Sequence, residues 1–304
     1  MRRVWIQQFY LENDKVYWRT DKDSPPPGER IQSPYDDEAR YRTKRDLNWT
    51  GYTAHFTETC DEDRPNLITD VQTTDASVVD SEVTGVIHES LANKGLLPSE
   101  HLVDAGYMEA ELIVTARNEY GVDLVGRIGS DTHWQSRQGI GFDQSSFDID
   151  WEAKQVQCPA GQVSYRWQER KDSTGKDLIY VYFAPQQCHI CAQRGKCTRA
   201  EVGGRSLVLR PQALYIALQE ARQRQETEEF RERYNCRAGV EGTISQGTRS
   251  FELRRTRYRG LAKTYLQDLL TAGAMNVTRA VSWLHENPKA KTRRSRFQRL
   301  AIAA

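Results

Sequence analysis

Tyr52–Cys60 (YTAHFTETC) and Asn66–Thr74 (NLITDVQTT) decide the fold. Both runs are rich in β-branched and aromatic residues, which suit a pleated, half-buried surface. The DEDRP stretch between them (Asp61–Pro65) is turn-forming, so the pair reads as an antiparallel hairpin. Asp80–Asn93 follows with Val83, Val86, Ile87 and Leu91 at helical spacing, and Gly95 is placed to cap its C-terminus. Next comes an apolar strand that ends in an acid (HLVDAGY, His101–Tyr107, with Asp104). A helix at about Met108–Tyr120 and another apolar strand at Val122–Ile128 complete the run. The order ββαβαβ predicts an α/β fold.

Outward from this core the character changes. Residues 1–45 mix aromatic and charged side chains around the run SPPPG (Ser24–Gly28) and read as an exposed N-terminal connector. Residues 46–128 are the first part of the core. From residue 129 to 210, Gly, Ser, Trp and Cys replace the βα pattern, with short strand-like pieces at Leu178–Phe183 and Ser206–Leu209. This predicts an inserted β-rich cysteine module. Helical composition returns over residues 211–285, at Gln212–Asn235 and at Leu261–His285. In the latter, Leu266, Leu269, Leu270, Ala274 and Val277 are expected to share a core face. Residues 286–304 form a basic tail.

The 304 residues are 38% apolar and 28% charged, enough to bury a core. No apolar run reaches the ~18 residues of a membrane span, and the N-terminus lacks a secretory signal, so the expectation is a cytoplasmic protein with no membrane partner. The net charge of +1 conceals an asymmetry: Arg249–Arg299 holds thirteen Lys and Arg against three Asp and Glu. Clustered cations of this kind gain affinity for polyanions by releasing condensed counterions, whereas a solvated basic tail is the plainer reading.

Asp104, at the C-terminal end of an apolar strand, stands where α/β sheets open to ligands, although an acid there also caps the next helix. Tyr234, Arg237 and Glu241 are spaced to share one helix face. The weak helix formers Gly239 and Gly242 flank the acid, as if another backbone or a ligand comes close. Arg254, Arg255, Arg257, Arg259 and Lys263 surround Tyr258, mixing phosphate binders with a stacking ring.

Tyr234, Arg237 and Glu241 match the Tyr-x2-Arg-x3-Glu spacing of a group of bacterial insertion-sequence DDE transposases, which this chain resembles over most of its length. The segments SPYDDEARYRTKRDLNWTGYTAHFTETCDED, HLVDAGY, GVEGTISQG and YRGLAKTYLQ and the cysteine-bearing insertion carry the resemblance. The family's motif continues x6-Lys. Thr248 stands at that position here, with Arg249 next to it, so the DNA-end contact that the resemblance implies for that Lys is either lost or shifted to Arg249. The resemblance implies a ribonuclease-H-like core in which three carboxylates hold two Mg²⁺ (or Mn²⁺) ions for cleavage and strand transfer on double-stranded DNA. It also implies a homo-oligomer in the active state and nucleoid association. Asp104 is then the second acid and Glu241 the third.

In the family the first acid lies on a strand upstream of the part resembling YTAHFTETC. No such strand is evident, so an N-terminally truncated product missing the first core strand is expected. Asp131-Thr132-His133 looks like such an acid but follows Asp104 in the chain. A noncatalytic DNA-binding remnant is the alternative, and a zinc-dependent binding protein unrelated to transposition is a third reading.

Four of six cysteines fall in the insertion: Cys158, Cys188, Cys191 and Cys197. Cys188 and Cys191 form a Cys-x2-Cys pair that suits a tetrahedral Zn²⁺, with Cys158 and Cys197 completing the set; His189 lies inside the knuckle. Buried free thiols and redox pairing are the other readings. Cys60 and Cys236 are expected to be ordinary packed residues.

Overall fold

A computed structural model of the chain describes residues 2–286 apart from Arg45, Glu62, Ile140 and the side chain of Gln138. The expected basic tail, from residue 287 onward, lies outside the described residues. In chain order the elements begin with α1 (Arg2–Gln8), β1 (Phe9–Glu12), β2 (Lys15–Trp18), β3 (Arg40–Lys44), β4 (Leu47–Glu58), β5 (Ile68–Asp75), α2 (Asp80–Asn93) and β6 (Glu100–Val103). They continue with α3 (Ala110–Tyr120), β7 (Asp123–Gly126), α4 (Trp134–Gln138), β8 (Asp148–Asp150), β9 (Gln155–Gln157), β10 (Arg166–Lys171) and β11 (Asp177–Tyr182). Last come α5 (Pro185–His189), α6 (Arg194–Cys197), β12 (Ser206–Leu209), α7 (Gln212–Arg224), α8 (Glu228–Asn235), α9 (Gly239–Ser250) and α10 (Leu261–Leu284). The chain divides into two compact units, one joining residues up to Leu102 with those from Glu232 onward, the other running from Val103 to Arg231.

In the first unit the expected hairpin is present. The C-terminal half of β4 pairs antiparallel with β5 from Tyr52↔Asp75 to Glu58↔Ile68, while its N-terminal half pairs with β3 from Arg40↔Gly51 to Lys44↔Leu47. α2 matches its expected span and buries Val83, Ile87 and Leu91, the i, i+4, i+8 positions of one face. It ends on Gly95 at φ +66°, with Leu96 N–H returning to the Leu91 carbonyl at 2.9 Å; an αL glycine closes a helix in this way at no steric cost.

Residues 1–45 hold more structure than a connector. α1 leads into a β1–β2 hairpin whose turn residues Asn13 and Asp14 both have positive φ, the conformation a tight two-residue hairpin requires. Phe9 packs against Trp5 and Trp18 with ring centroids 4.6 and 4.7 Å apart.

α10 forms where expected but turns the other way. Leu266, Leu269, Leu270 and Val277 are exposed, as is Ala274, and the helix buries Thr264, Asp268, Ala272 and Met275. The reason lies in its polar residues. Asn276 uses its amide as a neighbouring strand would, donating to the Ile68 carbonyl and accepting from the Ile68 N–H, each at 2.8 Å. Asp268 accepts from Thr73 Oγ1 at 2.7 Å. These bonds satisfy β5 backbone and side-chain groups that would otherwise be buried unpaired, and Ala272 and Met275 then close with Ile68, Val71, Phe56 and Phe251 into a core.

In the second unit β10–β11–β12 form an antiparallel sheet, with β12 and β11 where the sequence placed them. Phe147, Val156, Val181, Phe183, Leu207 and Leu209 form its core. The helix expected over Gln212–Asn235 is two, α7 and α8. Thr227 Oγ1 donates to the Arg224 carbonyl and accepts from Phe230 N–H, so a new helix start is capped there. No sheet among the described residues exceeds three strands. The fold is therefore mixed α/β with several small sheets.

Candidate functional site

The register of β4 against β5 shifts between Thr57 and Glu58, an irregularity that re-aims the side chain of the bulged strand. Glu58 is thereby committed to the interior of the first unit, with a side chain only 4% exposed. Its Oε2 accepts from Thr243 Oγ1 of α9 and from Arg279 Nη1 of α10, the latter at 2.9 Å. Arg279 also donates to the Asn66 carbonyl at 2.7 Å, to Thr243 Oγ1 at 2.6 Å and to Gln246 Oε1 at 3.0 Å. One guanidinium thus ties α9 to the β4–β5 turn. Gly239 is part of the fit: a Cβ there would stand 3.2 Å from Asn66 Nδ2 and 3.4 Å from Glu58 Oε1. The expected close approach is real at Gly239 and missing at Gly242, where a Cβ meets nothing within 4 Å.

Tyr234, Arg237 and Glu241 are brought together, although the helix does not run straight through them. A 3-10 turn at Cys236–Ala238 joins α8 to α9. The Arg237 guanidinium carbon lies 5.1 Å from the Tyr234 ring centroid, a cation–π distance, and Arg237 Nη2 is 3.6 Å from Glu241 Oε1. Tyr234 is buried and Arg237 nearly so, whereas the Glu241 side chain is 73% exposed. Glu241 sits in the first turn of α9, where the helix dipole favours its charge. The arrangement holds a carboxylate toward solvent on a helix anchored from behind.

Asp104 belongs to the second unit. It is exposed, follows β6 and opens the 3-10 turn Ala105–Tyr107 through its carbonyl, which accepts Tyr107 N–H at 2.9 Å. Its side chain makes no capping hydrogen bond, so the cap reading of this acid does not apply. Asp131, in contrast, is accounted for locally. It accepts from the backbone N–H of His133 at 2.9 Å and from that residue's ring. Burial alone would raise its carboxyl, but these bonds hold it below the ordinary value.

The loop before α10 presents its cations outward: Arg254, Arg255, Arg257, Arg259 and Lys263 are exposed, and Tyr258 is 54% exposed. Arg249 is exposed at the end of α9. Not all of this charge is available, because Glu252 pairs with Arg257 and lies 3.8 Å from Arg255. Thr248 spends its hydroxyl on the Ile244 carbonyl at 2.8 Å.

In the second unit Cys158, Cys188, Cys191 and Cys197 all line one cavity of about 30 Å³, with Arg205 beside them, and His189 does not line it. Burial pushes the Cys197 thiol up, Arg205 opposes this, and the other three thiols add to the rise. All six cysteines are free; Cys60 is exposed, so it is not the packed residue expected. Among the described residues no three His, Cys, Asp or Glu side chains are drawn together tightly enough to hold a metal ion, at the cysteines or elsewhere.

Residues 157–281 match the family model described as a transposase DDE domain. Over that stretch the chain is similar to a transposase DDE domain. Its matched stretch takes in the cysteine cavity, Tyr234, Arg237, Glu241, the basic loop and Arg279, and leaves out Asp104 and Glu58. No curated protein and no solved structure matches the chain. A transposase works on DNA, and no helix among the described residues is long and apolar enough to cross a membrane. The anchoring network behind Glu241 went unseen in the sequence because its members are far apart, and Arg279 shares α10 with other polar residues such as Lys263, Asp268 and Asn276, so nothing local singles it out.

Proposed function

We propose that this chain binds double-stranded DNA through the Arg249–Lys263 stretch and that Asp104 and Glu241, one in each unit, each serve DDE-type strand cleavage and transfer at element ends. The observation that carries this reading is the Tyr234–Arg237–Glu241 arrangement inside the matched transposase domain. Both acids fit a hard divalent cation in chemistry, since each is an exposed carboxylate. Bound Mg²⁺ or Mn²⁺ in such centres stabilises the attacking and leaving oxygens of phosphoryl transfer. Arg237 holds the Glu241 carboxylate in place, and Tyr234 packs under Arg237. Arg249, Arg254, Arg255, Arg259 and Lys263 track the DNA backbone, while Tyr258 offers a face to a base or sugar. A homo-oligomer would bridge two element ends.

A second reading is DNA binding without cleavage, favoured by the exposed cations of the Arg249–Lys263 stretch, which need no acid to hold a duplex. The experiment is nicking of supercoiled DNA by the full chain with Mg²⁺ or Mn²⁺, alongside duplex binding. Metal-dependent nicking lost in Asp104→Asn and in Glu241→Gln, with duplex affinity unchanged, is the expected result. Nicking that survives both substitutions removes these acids from the chemistry. Duplex binding by a wild-type chain that never nicks leaves the second reading standing.

A further inference from the structure

The cysteine cavity has no part in the DNA reading, and it is built from three separate pieces of chain. Cys158 begins the Cys158–Gly161 turn that follows β9. That turn is closed by Gly161 N–H on the Cys158 carbonyl at 2.8 Å, with Gly161 at φ +80°. Cys158 N–H in turn donates to the Gln162 carbonyl at 2.8 Å. Thirty positions on, Cys188 and Cys191 form a second tight turn, with Cys191 N–H on the Cys188 carbonyl at 3.3 Å. Cys197 closes α6, and Gln135 Nε2 holds its carbonyl at 3.0 Å.

Two close-spaced cysteines on a turn, facing two more from other segments, are what a tetrahedral site needs, because no single element can surround an ion. The backbone N–H of Arg205 donates to Cys188 Sγ at 3.4 Å, the kind of bond that supports a negatively charged sulfur ligand and fixes its direction. Cys158, Cys188 and Cys197 also pack against the core of the β10–β11–β12 sheet, so their backbones are positioned whether or not an ion is bound.

We infer that Cys158, Cys188, Cys191 and Cys197 form a four-thiolate site for a structural zinc ion. The sulfurs line one cavity without forming a tight ligand cluster. Binding therefore requires side-chain rotation that closes them to the Zn–S distance of about 2.3 Å, while the two turns stay in place. Four soft sulfur donors select zinc over the hard cations that carboxylates hold, and a complete protein ligand set leaves no open position for a substrate. Each thiol gives up its proton to solvent on binding, with no change of oxidation state. The ion would cross-link the turn after β9 to the α5–α6 segment, a stretch otherwise tied mainly by short strands.

Metal analysis of the full chain, purified without added metal, tests this. Roughly one zinc per chain is expected, falling well below that in Cys158→Ser, Cys188→Ser, Cys191→Ser and Cys197→Ser and unchanged in Cys60→Ser and Cys236→Ser. Since a serine variant can fail to fold, the wild-type chain is also stripped with a chelator and titrated with Co²⁺. Intense thiolate-to-cobalt absorption with the visible bands of a tetrahedral site, displaced by one equivalent of Zn²⁺, is the supporting outcome. A wild-type chain with no zinc and no such cobalt spectrum overturns the inference, as does an iron–sulfur absorption spectrum or a disulfide between any two of the four.

Discussion

Arg279 Nη1 and Glu58 Oε2 lie 2.9 Å apart in the interior of the first unit, with side chains 15% and 4% exposed, and they fasten the helix that carries Glu241. Removing one partner of such a pair leaves an uncompensated buried charge, at a cost of about 3–5 kcal/mol. Arg279→Met should therefore lower the unfolding free energy by that order, read from the urea midpoint and slope. Glu58→Gln should cost less, because a Gln carbonyl still accepts from Arg279 and Thr243. If Arg279→Met and Glu58→Gln prove equally mild, the pair is not what holds α9.

Asp268 gives a pH signature. Burial raises its carboxyl to about 6, against the lowering effect of its bond from Thr73. A folded-state value above the unfolded one means that folding is favoured by the protonated form. The contribution is present below about pH 4 and is lost as pH rises toward 6. Two units correspond to about 3 kcal/mol, to order of magnitude. Asp268→Asn keeps an acceptor for Thr73 and cannot ionise. Relative to wild type it should gain stability between pH 4 and 7 in urea titrations and then level off. A difference that stays flat across that range would show that Asp268 is solvated.

Much of the first unit and part of the second are legible in the sequence, and the failures share a cause. The β4–β5 hairpin, α2 and β12 rest on local periodicity and turn chemistry, which sequence displays directly. The α10 span was legible for the same reason, but its buried face was not. A hydrophobic count favours Leu266, Leu269 and Leu270, whereas the helix is placed by Asn276, Asp268 and Arg279, whose partners lie about two hundred residues away. The β1–β2 hairpin did have a signal, the Asn13–Asp14 pair, masked by the irregular SPPPG run beyond it. At the site, the clustering of Tyr234, Arg237 and Glu241 followed from spacing. The joining of Glu58 to Thr243, 185 positions apart, had no local trace.

Gly239 and Gly242 look alike in sequence and should behave oppositely. Both are helical in α9, where alanine is favoured over glycine by about 1 kcal/mol. At Gly242 a Cβ enters open space, so Gly242→Ala should raise the melting temperature. At Gly239 the Cβ meets Asn66 Nδ2 at 3.2 Å and Glu58 Oε1 at 3.4 Å, next to the Arg279 network, so the propensity gain is offset by displacing a buried carboxylate. Gly239→Ala should be neutral to destabilising. Equal stabilisation by both would mean that α9 sits farther from the β4–β5 turn than described.

Glu252 governs how much of the basic loop can meet a polyanion. It has positive φ (53°) and exposes its carboxylate to Arg257 and Arg255, whose pull holds it below its ordinary range. An exposed pair is weak and competes directly with phosphate for the same guanidinium. Glu252→Gln should therefore tighten duplex binding and steepen its salt dependence, by up to about 0.9 in the log–log slope for each further phosphate neutralised. Arg254→Glu should do the reverse, since that residue is exposed. Arg257→Glu, which also repels Glu252, should disrupt the loop and weaken binding further. Fluorescence anisotropy with a short duplex at several salt concentrations separates these cases. Identical slopes in wild type and all three variants would place the DNA surface elsewhere on the chain.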